Sequence, residues 1–189
     1  MLGIILAGGC STRAQLNKLL LEVNKRALIC HAIDTMRPFV ERMIVVTGHY
    51  HKELQPVLEK ENVEIAYNQN YQSGMFSSIL TGINRVTDED ILLLPGDIPN
   101  VSKNTYQALL SAKGSIRIPT YLGKDGHPLF LEKRLVSLLN KESVDSNMHV
   151  FLDKHDNEKV RVEVNDPFIN FDVDDQNDYE ELRKLMERK

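Results

Sequence analysis

The stretch "DILLLPGD" (90–97) limits the possible architecture more than any other part of the chain. Its apolar residues run without alternation, which is how a strand reads when both of its faces are covered. "GIILA" (3–7) and "RMIVVTG" (42–48) share that character, and "VEIAY" (63–67) and "GSIRIPTY" (114–121) add two further strand-like runs. Between them, "RALICHAIDTMRPF" (26–39), "SSILTGINRV" (77–86) and "NTYQALLSA" (104–112) space their apolar residues three and four apart, the period of a helix with one buried face. Strand and helix therefore alternate, and doubly buried strands call for helices above and below a mostly parallel sheet. The prediction is a doubly wound α/β fold, with residues 122–170 as a less regular part that supplies extra strands and a substrate lip.

At 189 residues the chain fits one domain, 1–189, with enough length to bury a core. A net charge of −4 argues against a broad nucleic-acid surface, which needs clustered lysine and arginine. It leaves room for a small anionic ligand held by a few basic residues. No apolar run approaches the roughly 18 residues of a membrane span. The opening apolar stretch has no basic leader and ends at Gly8-Gly9, so a cytoplasmic protein without a membrane partner is expected. The two cysteines, Cys10 and Cys30, form neither a disulfide framework nor a metal-ligand spacing. Cys10 reads as an ordinary loop residue, with a reactive thiol as the alternative.

Open α/β sheets bind ligands outside the carboxyl ends of their strands, so the residues just past each strand are the candidates for chemistry. After the first, Gly8 and Gly9 let backbone N–H groups approach an anion, Ser11 and Thr12 add hydroxyls, and Arg13 and Lys18 add charge. Neither G-x-x-x-x-G-K-[ST] nor G-x-G-x-x-G is present, which removes the P-loop and dinucleotide fingerprints. A plain strand-to-helix turn remains the alternative. Asp97 ends the most apolar strand, where a carboxylate can hold Mg²⁺ shared with phosphates; a loop cap is the other reading. In "NFDVDDQNDYEEL" (170–182), Asp172 and Asp174 fall on one face of an expected short strand and either could complete the magnesium site. Asp175 and Asp178 look like N-cap and first-turn acids of a terminal helix. "NQNYQSGMFSSILTGI" (68–83) predicts a helix starting at Ser77-Ser78, whose N–H groups could meet a base or phosphate or whose hydroxyls could simply cap the helix. His127 stands between Gly126 and Pro128 before an apolar strand, as a substrate-side or a structural histidine.

Together these segments resemble the MobA/MocA-like NTP transferases, the molybdenum cofactor guanylyl- and cytidylyltransferases. "LAGGCSTRAQLNK" is similar to that family's L-A-[AG]-G-x-[SG]-x-R-M-G-x-x-K loop, with Arg13 and Lys18 in register and Ala14-Gln15 in place of Met-Gly. "NYQSGMFSSI", "LLLPGDIPNV", "GHPLFL" and "FDVDDQNDY" resemble its later segments in the same order, from residue 3 to 179, with Asp174-Asp175 where the family has Asp-Thr. The resemblance implies a Rossmann-like nucleotidyltransferase fold of the glycosyltransferase-A type. It implies transfer of a nucleoside monophosphate from an NTP to molybdopterin or a related acceptor, with Mg²⁺ as cofactor and a molybdoenzyme or its chaperone as a further partner. It implies nucleotide contacts from Leu6, Ala7, Gly8, Gly9, Ser11, Arg13, Lys18, Asn68, Gly74 and Ser78. Arg13, Lys18 and Asp97 would be catalytic, Asp97, Asp172 and Asp174 would hold the metal, and His127 would face the acceptor. "LAGG" resembles the guanylyl form and "SGMFSSI" and "GHPLF" the cytidylyl branch, so CTP and GTP both stay open. Rival readings are a nucleotidyltransferase acting on a sugar phosphate, a non-catalytic nucleotide-binding cofactor chaperone, and a flavodoxin-like binding domain.

Overall fold

The computed structural model describes residues 1–9, 17–143, 145–173 and 175–187. The chain opens on β1 (Leu2–Ala7), buried along its whole length. A 3-10 turn at Lys18–Leu20 leads into a small hairpin of β2 (Glu22–Val23) and β3 (Arg26–Ala27). Its two central residues, Asn24 and Lys25, both have positive φ, 51° and 63°, the conformation of a two-residue hairpin turn whose twist matches its strands. The hairpin takes Arg26 and Ala27 out of the helix expected from residue 26, so α1 spans Leu28–Met36. Next come β4 (Arg42–Thr47), α2 (His51–Leu58), β5 (Glu64–Tyr67), α3 (Met75–Ile83) and β6 (Ile91–Pro95). The remainder comprises α4 (Lys103–Ser111), β7 (Ile116–Tyr121), β8 (Lys124–Asp125), β9 (Leu129–Leu131), α5 (Lys133–Leu139), α6 (Met148–Lys154), β10 (Lys159–Glu163) and α7 (Gln176–Glu187).

Eight of the strands form one sheet in the order β10-β7-β9-β6-β1-β4-β5, with β8 paired to β7. The pairs of β1 with β4 and β6, of β4 with β5, and of β7 with β10 are parallel; β9 runs antiparallel to β6 and β7. The sheet is mixed and mostly parallel, as the continuous apolar runs require. Alternate residues of each central strand serve opposite faces. Ile4, Leu6 and Leu93 pack with Phe76, Ile79 and Ile83 of α3, with α5, and with Phe151 of α6. Ile5, Val45 and Leu94 pack with Ile29, Ile33 and Met36 of α1, with Leu54 and Leu58 of α2, and with Tyr106 of α4. A smaller third cluster joins Val23 and Leu28 to Phe168, Val173 and Leu182, which seats α7 against the hairpin.

The chain winds from β1 through β4 to β5, then returns through α3 to β6 on the other side of β1. The strand order therefore reverses at β1, and a crevice opens outside its carboxyl end. Among the described residues no helix is long and apolar enough to cross a membrane.

Candidate active site at the β1 switch point

Gly8 and Gly9 stand in that crevice, and they differ. A Cβ on Gly8 would lie 2.4 Å from Ser78 Oγ, so the absent side chain at this buried position is imposed by α3 packing beneath the turn. Gly48, after β4, is equally confined: its Cβ would meet Gly8 O at 2.4 Å and Tyr71 Cβ at 2.6 Å. Gly9 is exposed, with nothing within 4 Å of its Cβ position.

The β5–α3 connection is held by one buried amide. Asn68 Nδ2 donates to Ser77 Oγ (2.8 Å) and Ser78 Oγ (3.0 Å), its Oδ1 accepts from Asn70 N (2.9 Å), and its backbone N–H bonds to Thr47 O (2.9 Å). Ser77 Oγ in turn donates to the carbonyls of Asn70 and Gly74. Asn68 and Ser78 are thus buried at the β5–α3 connection, bonded to one another and to neighbouring groups of the protein. The helix starts at Met75, two residues before the expected Ser77, because Gly74 makes the turn. At φ 89° and ψ −178°, Gly74 occupies a region that is essentially closed to residues with a side chain. Gly74→Ala is expected to cost on the order of 1–3 kcal/mol in denaturant unfolding although no neighbour would clash.

The acidic half is assembled by the segment that joins β10 to α7. Asp166 Oδ2 accepts from Ser102 N (2.8 Å) and Thr105 Oγ1 (2.7 Å), which fixes the segment at the start of α4. Ile169 O accepts from His127 N at 2.7 Å, and Val173 N donates to Asp97 O at 3.3 Å. One stretch of chain therefore brings positions 97, 127 and 172–173 together. The strand expected around Asp172 is absent from residues 171–173, because no neighbouring strand pairs with them and their backbone serves the Asp97 loop instead. Asp172 is exposed beside it. Asp97 lies two residues beyond β6, and its Oδ2 meets Lys18 Nζ at 2.8 Å. Lys18 is placed by its 3-10 turn, whose first free N–H groups include Leu19 N, capped by Asn17 Oδ1 at 3.3 Å. Asp175 Oδ1 accepts from Asn177 N and Asp178 N, the N-cap role read from the sequence.

His127 lies within the field of Asp97. Burial pushes its imidazole down to about 4, against the pull of the Asp97 charge, so the ring is neutral at pH 7. It lines a cavity of about 370 Å³ that reaches Leu6 at the end of β1. Leu6 faces this side of the sheet and Ala7 the other. Cys10, Ser11, Arg13, the Ala14-Gln15 step and Asp174 lie outside the described residues. Among the described residues, no group of three or more His, Cys, Asp or Glu side chains is gathered for a metal ion. Asp166, Asn17 and the apolar cavity lining are parts of the site that motif reading passes over; Asp166-Pro167, a cap residue before proline, is the one that leaves a local signal.

A mixed, mostly parallel sheet whose strand order reverses at its first strand is the fold of Rossmann-like nucleotidyltransferases. A nucleotidyl transferase from Methanothermobacter shares the fold, with a TM-score of 0.84 at 24% identity, over 99% of this chain and 97% of that one. The family model of the MobA-like NTP transferase domain matches residues 3–160, and the chain belongs to that family of nucleotidyltransferases. It is 27% identical to the molybdenum cofactor cytidylyltransferase of Escherichia coli over 176 residues, 91% of each chain. It is 31% identical over 118 residues to the bifunctional protein GlmU of Cupriavidus pinatubonensis, covering 60% of this chain and 26% of that protein.

Proposed function

We propose that this chain transfers CMP or GMP from the corresponding NTP to a molybdopterin-type acceptor and releases pyrophosphate. The observation that carries the reading is the contact of Lys18 with Asp97, two residues beyond β6, the strand that pairs with β1 beside the Gly8-Gly9 turn. A cation suited to phosphates and a carboxylate suited to a divalent ion stand within one ligand's reach. The E. coli relative, matched along nearly its whole length, supports the acceptor.

A phosphate monoester, with a second pKa near ~6, is already largely ionised at neutral pH, so the acceptor oxygen needs no general base. That oxygen forms a bond to the α-phosphorus as the bond to the bridging oxygen breaks and its electron pair leaves with pyrophosphate. The chain's task is alignment and charge neutralisation. Gly9 presents backbone to the phosphates, and Lys18 and Arg13 take up the charge that builds on the departing pyrophosphate. Asp97 with Asp172 or Asp174 would hold Mg²⁺. The donor set fits: Mg²⁺ takes one or two protein carboxylates and completes its shell with water and substrate phosphates. When bound, the ion would neutralise phosphate charge on both reactants.

The test is pyrophosphate release with CTP, GTP, ATP and UTP, each with Mg²⁺ and reduced molybdopterin. Turnover with CTP or GTP is the expected result. Turnover only with N-acetylglucosamine 1-phosphate as acceptor would replace molybdopterin by a sugar phosphate. Nucleotide binding without release from any acceptor would select the non-catalytic reading.

A further inference from the structure

Asp166 is a buried carboxylate, 3% exposed, and its two oxygens serve different parts of the chain. Oδ1 accepts from Phe168 N at 3.1 Å, a local cap for the 3-10 turn Pro167–Asn170. Oδ2 acts at long range: it accepts from Ser102 N at 2.8 Å and from Thr105 Oγ1 at 2.7 Å, 64 and 61 residues earlier in the chain, at the N-cap and first turn of α4. An anion suits that place, because the free N–H groups and the dipole of a helix start both favour negative charge. The local turn, however, needs only Oδ1.

The bonds of Oδ2 complete a clamp. Residues 97–102 and 166–173 run side by side in opposite directions, tied at one end by Val173 N to Asp97 O (3.3 Å) and at the other by Ser102 N to Asp166 Oδ2. Between the ties, Ile169 O accepts from His127 N at 2.7 Å, and Phe168 and Val173 pack with Val23, Leu28 and Leu182. Asp97 and Asp172 stand at the Val173 end. Neither lies in a strand, so no sheet ladder fixes the placing of one carboxylate relative to the other and the ties must do so. We infer that Asp166 is a positioning residue for the divalent ion: by fixing the far end of the clamp, it holds Asp172 beside Asp97 at the spacing that one ion requires. The inference rests on the reading that Asp97 and Asp172 carry Mg²⁺, and it puts control of that site at the start of α4. Outer partners that orient metal ligands typically change metal affinity by about 10- to 100-fold.

The test titrates the full chain with Mn²⁺, which takes the same oxygen ligands as Mg²⁺ and is counted through the electron spin resonance of the free ion. Asp166→Asn keeps an acceptor for Phe168 N but turns an amide NH₂ toward Ser102 N, and is expected to weaken Mn²⁺ binding about tenfold or more. Thr105→Val leaves the carboxylate in place and removes one donor to it, so a loss of about threefold is expected. Thr105→Ser returns the hydroxyl and should restore the parent's affinity. The Mg²⁺ concentration for half-maximal pyrophosphate release should rise in parallel, with kcat at saturating Mg²⁺ little changed. Leu58→Ala, which opens a cavity beneath α2, should lower the melting temperature and leave Mn²⁺ binding as it is. A lowered melting temperature in Asp166→Asn and Thr105→Val with Mn²⁺ affinity unchanged overturns the inference, as does equal weakening by Leu58→Ala or by Thr105→Ser. Asp97→Ala separates the inference from the reading beneath it. Mn²⁺ bound as tightly by Asp97→Ala as by the parent would bring down both, whereas Mn²⁺ lost in Asp97→Ala but unaffected at 166 and 105 would bring down the positioning role alone. Mn²⁺ binding that follows Asp97 and the clamp, in a chain that releases no pyrophosphate with any acceptor, would end the transferase proposal and leave the positioning role standing.

Discussion

Asp97→Ala is expected to lower magnesium-dependent pyrophosphate release by about a thousandfold or more while the chain stays folded. The two halves of this expectation have separate grounds. The loop that carries Asp97 is tied to the segment before α7 through the Asp97 carbonyl, which accepts from Val173 N, and a substitution at the side chain leaves that bond in place. Asp97 lies two residues beyond β6, whose Ile91–Pro95 are all buried, so the strand that supports the loop is undisturbed as well. What is lost is the carboxylate. If Asp97 holds the ion that neutralises the phosphates, no other described carboxylate is tied to both the lysine turn and the terminal segment, and the reaction loses its charge compensation. Thermal unfolding and the release assay on the same sample give the check. A rate within a few-fold of the parent would remove Asp97 from the mechanism and leave it as an anchor for Lys18. Asp97→Asn sharpens the result, because it keeps the shape and a hydrogen-bond acceptor but not the charge, and is expected to be almost as inactive.

Where the sequence signals burial, it is a good guide to this fold. β1, β4 and β6 are legible because strands covered on both faces cannot alternate, and that same fact demands the helices on either side. Segments whose structure depends on a partner are less legible. Residues 170–174 alternate as Asn-Phe-Asp-Val-Asp and so resemble a strand, yet residues 171–173 find no strand to pair with and are drawn instead to the Asp97 loop. Residues 26 and 27 continue a helical pattern on paper but are claimed by a hairpin whose turn puts Lys25 at positive φ, a conformation for which lysine is no signal. α2 escapes the periodicity because Pro56 stands inside it.

The site shows the same division. That Asp97, Lys18, Gly9 and His127 come after strands or turns on one side of the sheet is readable from position alone. What each side chain does with its neighbours is not. Gly8 looks like a residue freed for a ligand, and Ser78 independently demands its lack of a side chain. Asn68 looks like a ligand contact, and its amide also ties Ser77, Ser78 and Asn70 together. A motif gives the residue type that a place requires without saying whether the ligand or the packing requires it. The aliphatic cavity leaves no motif at all, since its lining comes from strands and helices far apart in the chain and each residue reads simply as core.

The Lys18–Asp97 pair gives Lys18 two possible jobs, and its removal separates them. Lys18→Ala is expected to raise the barrier by roughly 2–4 kcal/mol, a loss of about 30- to 1,000-fold in kcat/KM, if the ammonium stabilises charge that develops on pyrophosphate. The loss should fall chiefly in kcat, because charge on the bridging oxygen appears only as the bond breaks and a group that meets it there does little for the bound ground state. Were Lys18 merely a partner for Asp97, the effect would be confined to stability. The two side chains keep only 18% and 23% of their surface open, so truncating Lys18 would leave a mostly buried carboxylate without that partner and would show in the melting curve. A third pattern, a raised KM with kcat preserved, would mean that Lys18 grips the triphosphate equally before and during transfer, and would pass the transition-state role to Arg13. Steady-state kinetics across NTP concentrations, read beside a melting curve, distinguishes the three. Lys18→Arg sets the geometric limit: the charge is retained but carried on a longer, planar group, so partial activity is expected if charge alone matters and near-complete loss if the ammonium must sit where Asp97 now holds it.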